Sequence, residues 1–243
     1  MTATYDHTGR HVLVTGGTRG IGLGLVRAFA ASGARVTACA RTLPDPPPCP
    51  GVRYVRADVR DPDDVERLVG GLSRLDVLVH NAGGSPPAPL AGTSPRLHAR
   101  VIELNLTAPL LLSQRAHPLL AAARGAVIMI GSVSGVRPSP GTSAYGAAKA
   151  GLHHLAACLA AEWAPEVRVN TVVVGLAATE AATDHHGAGS GRLAATIPAG
   201  RPATPADVAR VCLWLAEPGY VTGARILVDG GGETPAWSWL AQP

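Results

Sequence analysis

Short β-branched runs alternate with stretches of helical spacing along the chain, and this alternation restricts the fold more than any other feature. His11–Thr15 (HVLVT), Arg35–Ala40 (RVTACA), Val52–Arg56, Leu75–His80, Ala126–Gly131, Val167–Val174 and Arg225–Asp229 read as buried strands. Each is short, rich in β-branched residues and bounded by Gly, Asp or Pro. Between them, Gly20–Ser32, Asp61–Ser73, Pro95–Ala123, Ser143–Ala164 and Pro205–Ala216 carry the spacing of helices. Asp61 before Pro62 and Thr204 before Pro205 have the form of an N-cap followed by an N1 proline. Strands that alternate with helices predict an α/β fold, a parallel sheet with helices on both faces. No internal repeat or linker interrupts the 243 residues, so a single domain over 1–243 is expected. With 47% hydrophobic and 16% charged residues, the chain has enough apolar side chains for a large core.

Two segments break the rhythm. Thr42–Gly51 (TLPDPPPCPG) holds too many prolines for a helix and predicts a loop. Leu176–Gly200 is rich in Ala, Gly and polar residues, with Gly187, Gly189 and Gly191 lowering the cost of rearrangement, and is expected to be a substrate lid. The tail Glu233–Pro243 carries Trp237, Trp239 and Leu240, and is expected to pack on protein.

The first strand runs into Thr15-Gly16-Gly17-Thr18-Arg19-Gly20-Ile21-Gly22, and a helix follows. Glycines there let the backbone turn tightly and approach a pyrophosphate, which the helix N-terminus then faces with free N–H groups. In a dinucleotide fold, an acid about twenty residues on would hold the adenosine ribose hydroxyls. That position is Ala40, and Arg41 follows it. The pair favours a 2′-phosphate, hence NADP over NAD.

Tyr145 and Lys149 lie near the start of a predicted helix, at a spacing that puts both on one face. A neighbouring ammonium favours the phenolate and would bring a tyrosine into the range of general acid/base work. Of 21 basic residues, Lys149 is the single lysine. Arginine is a planar fork and does not replace a point donor.

On these residues the chain resembles the short-chain dehydrogenase/reductases, over nearly its whole length. Thr15-Gly16-x-x-x-Gly20-x-Gly22 matches the family's cofactor turn, and Asp58-Val59 its adenine-contact position. His80-Asn81-Ala82-Gly83 matches the motif ending the fourth strand, with histidine in place of the first asparagine. Asn105, Ser132, Tyr145 and Lys149 fall where the family has its catalytic residues, Ser132 thirteen positions before Tyr145. Asn170, Gly175 and Val228-Asp229-Gly230-Gly231 fit later motifs, with Val174 in place of the usual proline.

The resemblance implies a Rossmann-like, doubly wound sheet of seven strands. It implies cofactor contacts from Gly16, Thr18, Arg19, Gly20, Ile21, Gly22, Arg41, Asp58, Val59, Asn81, Ala82, Gly83, Tyr145, Lys149, Gly175, Ala177 and Thr179. In the implied mechanism Tyr145 exchanges a proton with the reacting oxygen and Ser132 hydrogen-bonds that oxygen. Lys149 lowers the Tyr145 pKa and binds the nicotinamide ribose, and Asn105 fixes a water linking Lys149 to solvent. It also implies a homodimer or homotetramer, assembled through the helices bearing Asn105 and Tyr145.

Other readings carry less. The four cysteines form no C-x-x-C pair, the N-terminus has no apolar signal region, and no run of eighteen apolar residues is present. A reduced, cytoplasmic protein away from membranes is expected. The formal charge of +4 is scattered, which does not favour nucleic acid. His153-His154 and His185-His186 are adjacent pairs that point apart, so no metal is expected. The substrate loops Gly84–Leu90, Val133–Thr142 and Leu176–Gly200 are mostly small or apolar and suit a neutral or mostly apolar ketone or alcohol. A non-catalytic, cofactor-sensing relative is the alternative, and such proteins often lose the tyrosine or lysine kept here.

Overall fold

In a computed structural model, the structure describes residues 4–179 and 194–232. Seven strands form one parallel sheet: β1 His11–Thr15, β2 Arg35–Ala40, β3 Arg53–Arg56, β4 Val77–His80, β5 Ala126–Ser132, β6 Arg168–Val174 and β7 Arg225–Val228. Their order is β3-β2-β1-β4-β5-β6-β7. The helices are α1 Gly20–Ala31, α2 Pro62–Gly70, α3 Pro95–Ile102, α4 Ala108–Ala123, α5 Ser143–Glu162 and α6 Pro205–Ala216. The fold is the single α/β domain with a parallel sheet that the alternation predicts, in the doubly wound, Rossmann-like form of seven strands that the resemblance implies.

Each central strand feeds two cores because successive side chains point to opposite faces. Leu13, Leu78, Val127 and Met129 pack against one face with Val65 and Leu68 of α2, Leu112 of α4 and Leu152 of α5. Val12, Val14, Val79, Ile128 and Val172 face the other way, onto Leu25 and Phe29 of α1 and Cys212 and Leu215 of α6.

The expected starts of α2 and α6 hold. Asp61 accepts from the Asp63 and Asp64 amides, and Thr204 makes a reciprocal capping box with Asp207. The Thr42–Gly51 loop contains neither helix nor strand. The expected helix Pro95–Ala123 is instead interrupted. A single wide π turn, Glu103–Thr107, separates α3 from α4 and contains Asn105. Such turns often mark functional sites.

The sheet order reverses between β1 and β4, and the crevice beyond the carboxyl ends of those strands is where open α/β sheets bind ligands. Most of the expected lid, residues 180–193, and the tail Glu233–Pro243 lie outside the described residues. At the two ends of the lid segment, Leu176 and Ala178 pair with Ala203 through its amide and carbonyl, at 2.8 Å each.

Candidate active site

The glycine turn lies at the β1–β4 reversal. Gly16 and Gly20 have φ of +65° and +54°, a left-handed conformation that glycine adopts without penalty. Gly16 N–H donates to the Cys39 carbonyl at 2.8 Å, tying the turn to β2. A Cβ on Gly22 would land on the Gly16 carbonyl oxygen and the Asn81 amide nitrogen, so the helix can start this close only without one. The side chains of Asp61, Ser94 and Thr204 cap α2, α3 and α6, but the N-terminus of α1 has no side-chain cap and no acid in its first turn. Its N–H groups and dipole therefore remain available to an anion, the arrangement that a cofactor pyrophosphate fits.

Thr15, which the sequence analysis did not single out as a site residue, joins the two sides of the crevice. Its hydroxyl accepts the Asn81 and Ala82 amides at 3.0 and 2.9 Å and donates to the Val79 carbonyl at 3.3 Å. The Asn81 side chain returns two bonds, to the Thr15 and Gly16 carbonyls at 2.9 and 3.1 Å. Thr179 is also brought here, its methyl 3.6 Å from where a Gly20 Cβ would stand, and Ala177 bridges to Ala203. Thr18 and Ile21 are half-buried within the turn.

At the end of the crevice expected to take the adenosine, Arg19 and Arg41 are exposed, and Ala40 pairs in register with Arg56 of β3. Val59 is buried. The Asp58 carboxylate is held by Arg60, at 2.6 and 3.0 Å. That bond holds Asp58 below the usual carboxylate range, and the Arg41 charge acts in the same direction.

The four expected catalytic residues converge beyond β4 and β5. Ser132 ends β5, and its hydroxyl accepts the Ser134 amide at 3.2 Å and lies near enough to Tyr145 to act on its phenol. Lys149 lies one turn along α5, with Nζ 5.7 Å from the centre of the Tyr145 ring. Nζ donates to the Ile130 carbonyl at 2.8 Å. Asn105 holds both backbone polar groups of Gly84, accepting its N–H at 3.0 Å and donating to its carbonyl at 2.9 Å. A third Asn105 bond is donated to the Val101 carbonyl at 2.9 Å. Gly83 fits between these groups, since a Cβ there would stand 2.6 Å from Asn105 Oδ1 and 3.3 Å from Lys149 Nζ.

The pKa balance differs from the expected depression of Tyr145 by Lys149. Burial raises the Tyr145 pKa, and the neighbouring Ser132 hydroxyl opposes it only in part. Burial also lowers Lys149 to about 8. The Lys149 donor is directed at Ile130 rather than at the phenol, so desolvation sets both shifts.

A pocket of about 190 Å³ opens beside the cluster, lined by Val133, Val136, Leu176 and Ile197 with Arg137 and Asp229 at its polar side. It draws on two of the three loops expected to contact substrate.

A family profile described as Enoyl-(Acyl carrier protein) reductase matches residues 16–233. The chain belongs to the short-chain dehydrogenase/reductase family. It is 32% identical over 237 residues to the 3-oxoacyl-[acyl-carrier-protein] reductase FabG of Chlamydia trachomatis, covering 90% of this chain and 95% of that protein. A solved structure titled a short chain dehydrogenase/reductase family protein superposes with a TM-score of 0.86 at 34% identity, covering 93% of this chain and 98% of that one. The Pseudomonas aeruginosa RhlG/NADP active-site complex gives 0.86 at 32% identity, covering 95% and 99%.

As a member of this family the protein is an oxidoreductase that interconverts CH–OH and C=O in small molecules with NAD or NADP. Its departures from the family pattern have local explanations. His80 is buried and bonds Ser113 of α4 at 2.7 Å, so it ties β4 to a helix. Burial, followed by the Lys149 charge, lowers His80 to about 3, which keeps the ring neutral. Val174 keeps the sheet running, and the Gly175 amide donates to the Val228 carbonyl at 3.0 Å. Asn170 holds the chain before β7, bonding the Val221 carbonyl and the Ala224 amide. No described helix is long and apolar enough to cross a membrane.

Proposed function

We propose that this enzyme reduces a ketone to a secondary alcohol with NADPH, or runs the reverse reaction, with Tyr145 as the general acid/base. The observation that carries this reading is the convergence of Ser132, Tyr145 and Lys149 at the end of β5, with the Lys149 ammonium 5.7 Å from the centre of the Tyr145 ring, next to the uncapped glycine turn. The nicotinamide, when bound, supplies or accepts the hydride. The turn from Gly16 to Gly22 and the start of α1 would hold its pyrophosphate. Asn81, Ala82, Gly83, Gly175, Ala177 and Thr179 would line the remainder of its path.

Ser132 hydrogen-bonds the reacting oxygen and keeps it within reach of Tyr145. Burial keeps Tyr145 protonated, the form that donates to a carbonyl oxygen as the alcohol forms. The Lys149 charge favours the phenolate left behind. Asn105 sets the π turn and the Gly83–Gly84 path against which Lys149 rests.

Ala40 and Arg41 support NADP over NAD, since no acid stands at the ribose and a guanidinium can pair with a 2′-phosphate. Arg19 adds a second cation at the same end. The largely apolar pocket supports a neutral or mostly apolar substrate such as a 3-oxoacyl thioester, the substrate class in the name of the Chlamydia relative. Leu110 and Leu111 of α4, both partly exposed apolar residues, support assembly as a homodimer or homotetramer. The test is nicotinamide absorbance with NADPH and with NADH against a panel of ketones that includes acetoacetyl-coenzyme A. NADPH oxidation that depends on a ketone is expected. No ketone-dependent oxidation across the panel, or turnover with NADH alone, would overturn the reading.

A further inference from the structure

We infer that His153 is a positioning residue for Ser132: its Nε2 accepts the Ser132 backbone N–H and holds the serine, at the end of β5, beside Tyr145. The inference rests on the roles proposed above for Ser132 and Tyr145.

The end of β5 creates the need. β4 stops at His80, opposite Met129, while β5 continues to Ser132. Beyond that point the β4 side of β5 has no neighbouring strand, and its backbone groups must find other partners. Two side chains from one face of α5 supply them. Lys149 donates to the Ile130 carbonyl at 2.8 Å, and His153, one turn further on, accepts the Ser132 N–H at 3.4 Å. Tyr145, Lys149 and His153 thus lie in one row, each directed at the last three residues of β5.

The ring is closely held. His153 is 2% exposed. A Cβ on Gly131 would collide with Nε2, and one on Gly135 would stand 2.9 Å from Cε1 and 2.6 Å from the Ala150 amide. The loop after β5 therefore lies directly on the imidazole, and the Ser132 backbone cannot move without moving it.

Packing alone does not explain a histidine here. If Nε2 accepts, the proton of the neutral ring sits on Nδ1, and Nδ1 is buried with no hydrogen-bond partner among the described residues. An unmet buried donor is costly, and an apolar side chain would fill the slot without that cost. Burial, then the nearby Lys149 and Arg225 charges, lower the ring to about 4 and keep it neutral, which leaves Nε2 free to accept.

Two measurements test this. Histidine-selective ¹⁵N NMR of the full-length protein at neutral pH should find His153 neutral with its proton on Nδ1. A proton on Nε2 would overturn the inference without any variant. The second uses His153→Gln, whose Oε1 falls near the Nε2 position, beside His153→Asn and His153→Leu, which put no acceptor there. Leu and Asn should lower kcat about tenfold, the worth of one hydrogen bond, with cofactor KM within about twofold. Gln should recover most of the loss. Full kcat in the Leu variant, or a Gln variant as slow as Leu at equal melting temperature, would overturn it. If the Leu variant does not fold, the Asn–Gln comparison decides. Tyr145→Phe runs alongside. Retained turnover there would mean that the active-site reading itself fails, whereas a dead Tyr145→Phe with a fully active His153→Leu would sink this inference alone.

Discussion

Replacing Thr15 by valine should loosen the cofactor crevice while leaving the core volume nearly unchanged. The substitution exchanges a hydroxyl for a methyl, so the packing of a residue only 1% exposed is largely kept. What is lost is the oxygen that accepts the Asn81 and Ala82 amides at 3.0 and 2.9 Å. Both donors are part-buried and neither regains a partner from valine. An unmet donor costs about 1–3 kcal/mol, and partial access to water places these two in the lower half, about 2–4 kcal/mol together. The third bond, to the Val79 carbonyl, is 3.3 Å long and adds little. For a domain of this size each kcal/mol moves the melting temperature by about 2–4 °C, so a drop of about 5–15 °C is expected. Thr15→Ser, which keeps the oxygen, should stay within about 1 kcal/mol of the parent. Because Asn81 also braces the Thr15 and Gly16 carbonyls, cofactor affinity should fall in the valine variant as well. Urea unfolding and a cofactor titration measure the two effects. A valine variant as stable as the parent would refute the assignment of Thr15 as the brace between β1 and β4.

Tyr145→Phe should cost a factor of about 10²–10⁴ in kcat, the usual worth of a general acid, with cofactor binding retained. A variant that kept a tenth of the parent rate would exclude Tyr145 from proton transfer. Lys149→Arg should also be severely impaired, because a planar guanidinium does not reproduce the point donor that Nζ offers to the Ile130 carbonyl beside the Tyr145 ring. Near-parent kinetics would show the lysine to be replaceable. Arg41→Ala should lower the ratio of kcat/KM for NADPH over NADH about tenfold or more, the loss of one charge-assisted contact to phosphate. An unchanged ratio would remove Arg41 from the cofactor site.

Much of this architecture could be read from residue patterns, for identifiable reasons. β1, β2 and α6 match their expected bounds, with Gly16 directly after β1, Gly33 two residues before β2 and Pro205 opening α6. The break between α3 and α4 was not visible, because a single wide turn adds one residue to the helix and leaves the apolar spacing nearly intact. The glycine turn and the Tyr145–Lys149 spacing were legible because each is local in sequence. Thr15 and His153 were not, because their roles come from partners 66 and 21 residues away. His153 and His154 point apart, as adjacent helical residues must, one buried and one exposed. The sequence does not say that the buried one meets Ser132.

The site therefore owes its position to where the sheet runs out of partners. β4 ends before β5, and the uncovered edge of β5 offers one carbonyl and one amide to the helix that crosses it. A lysine and a histidine one turn apart on α5 take those two groups, and the same row begins with Tyr145. On the other side of the crevice, Thr15 takes the two amides that follow β4. The backbone groups left over at the strand ends thus fix the proposed catalytic side chains on one side and the proposed cofactor turn on the other. A substitution at any of these bonding side chains is expected to disturb chemistry and local stability together, whereas one in the interior of either core should change stability with little effect on kcat.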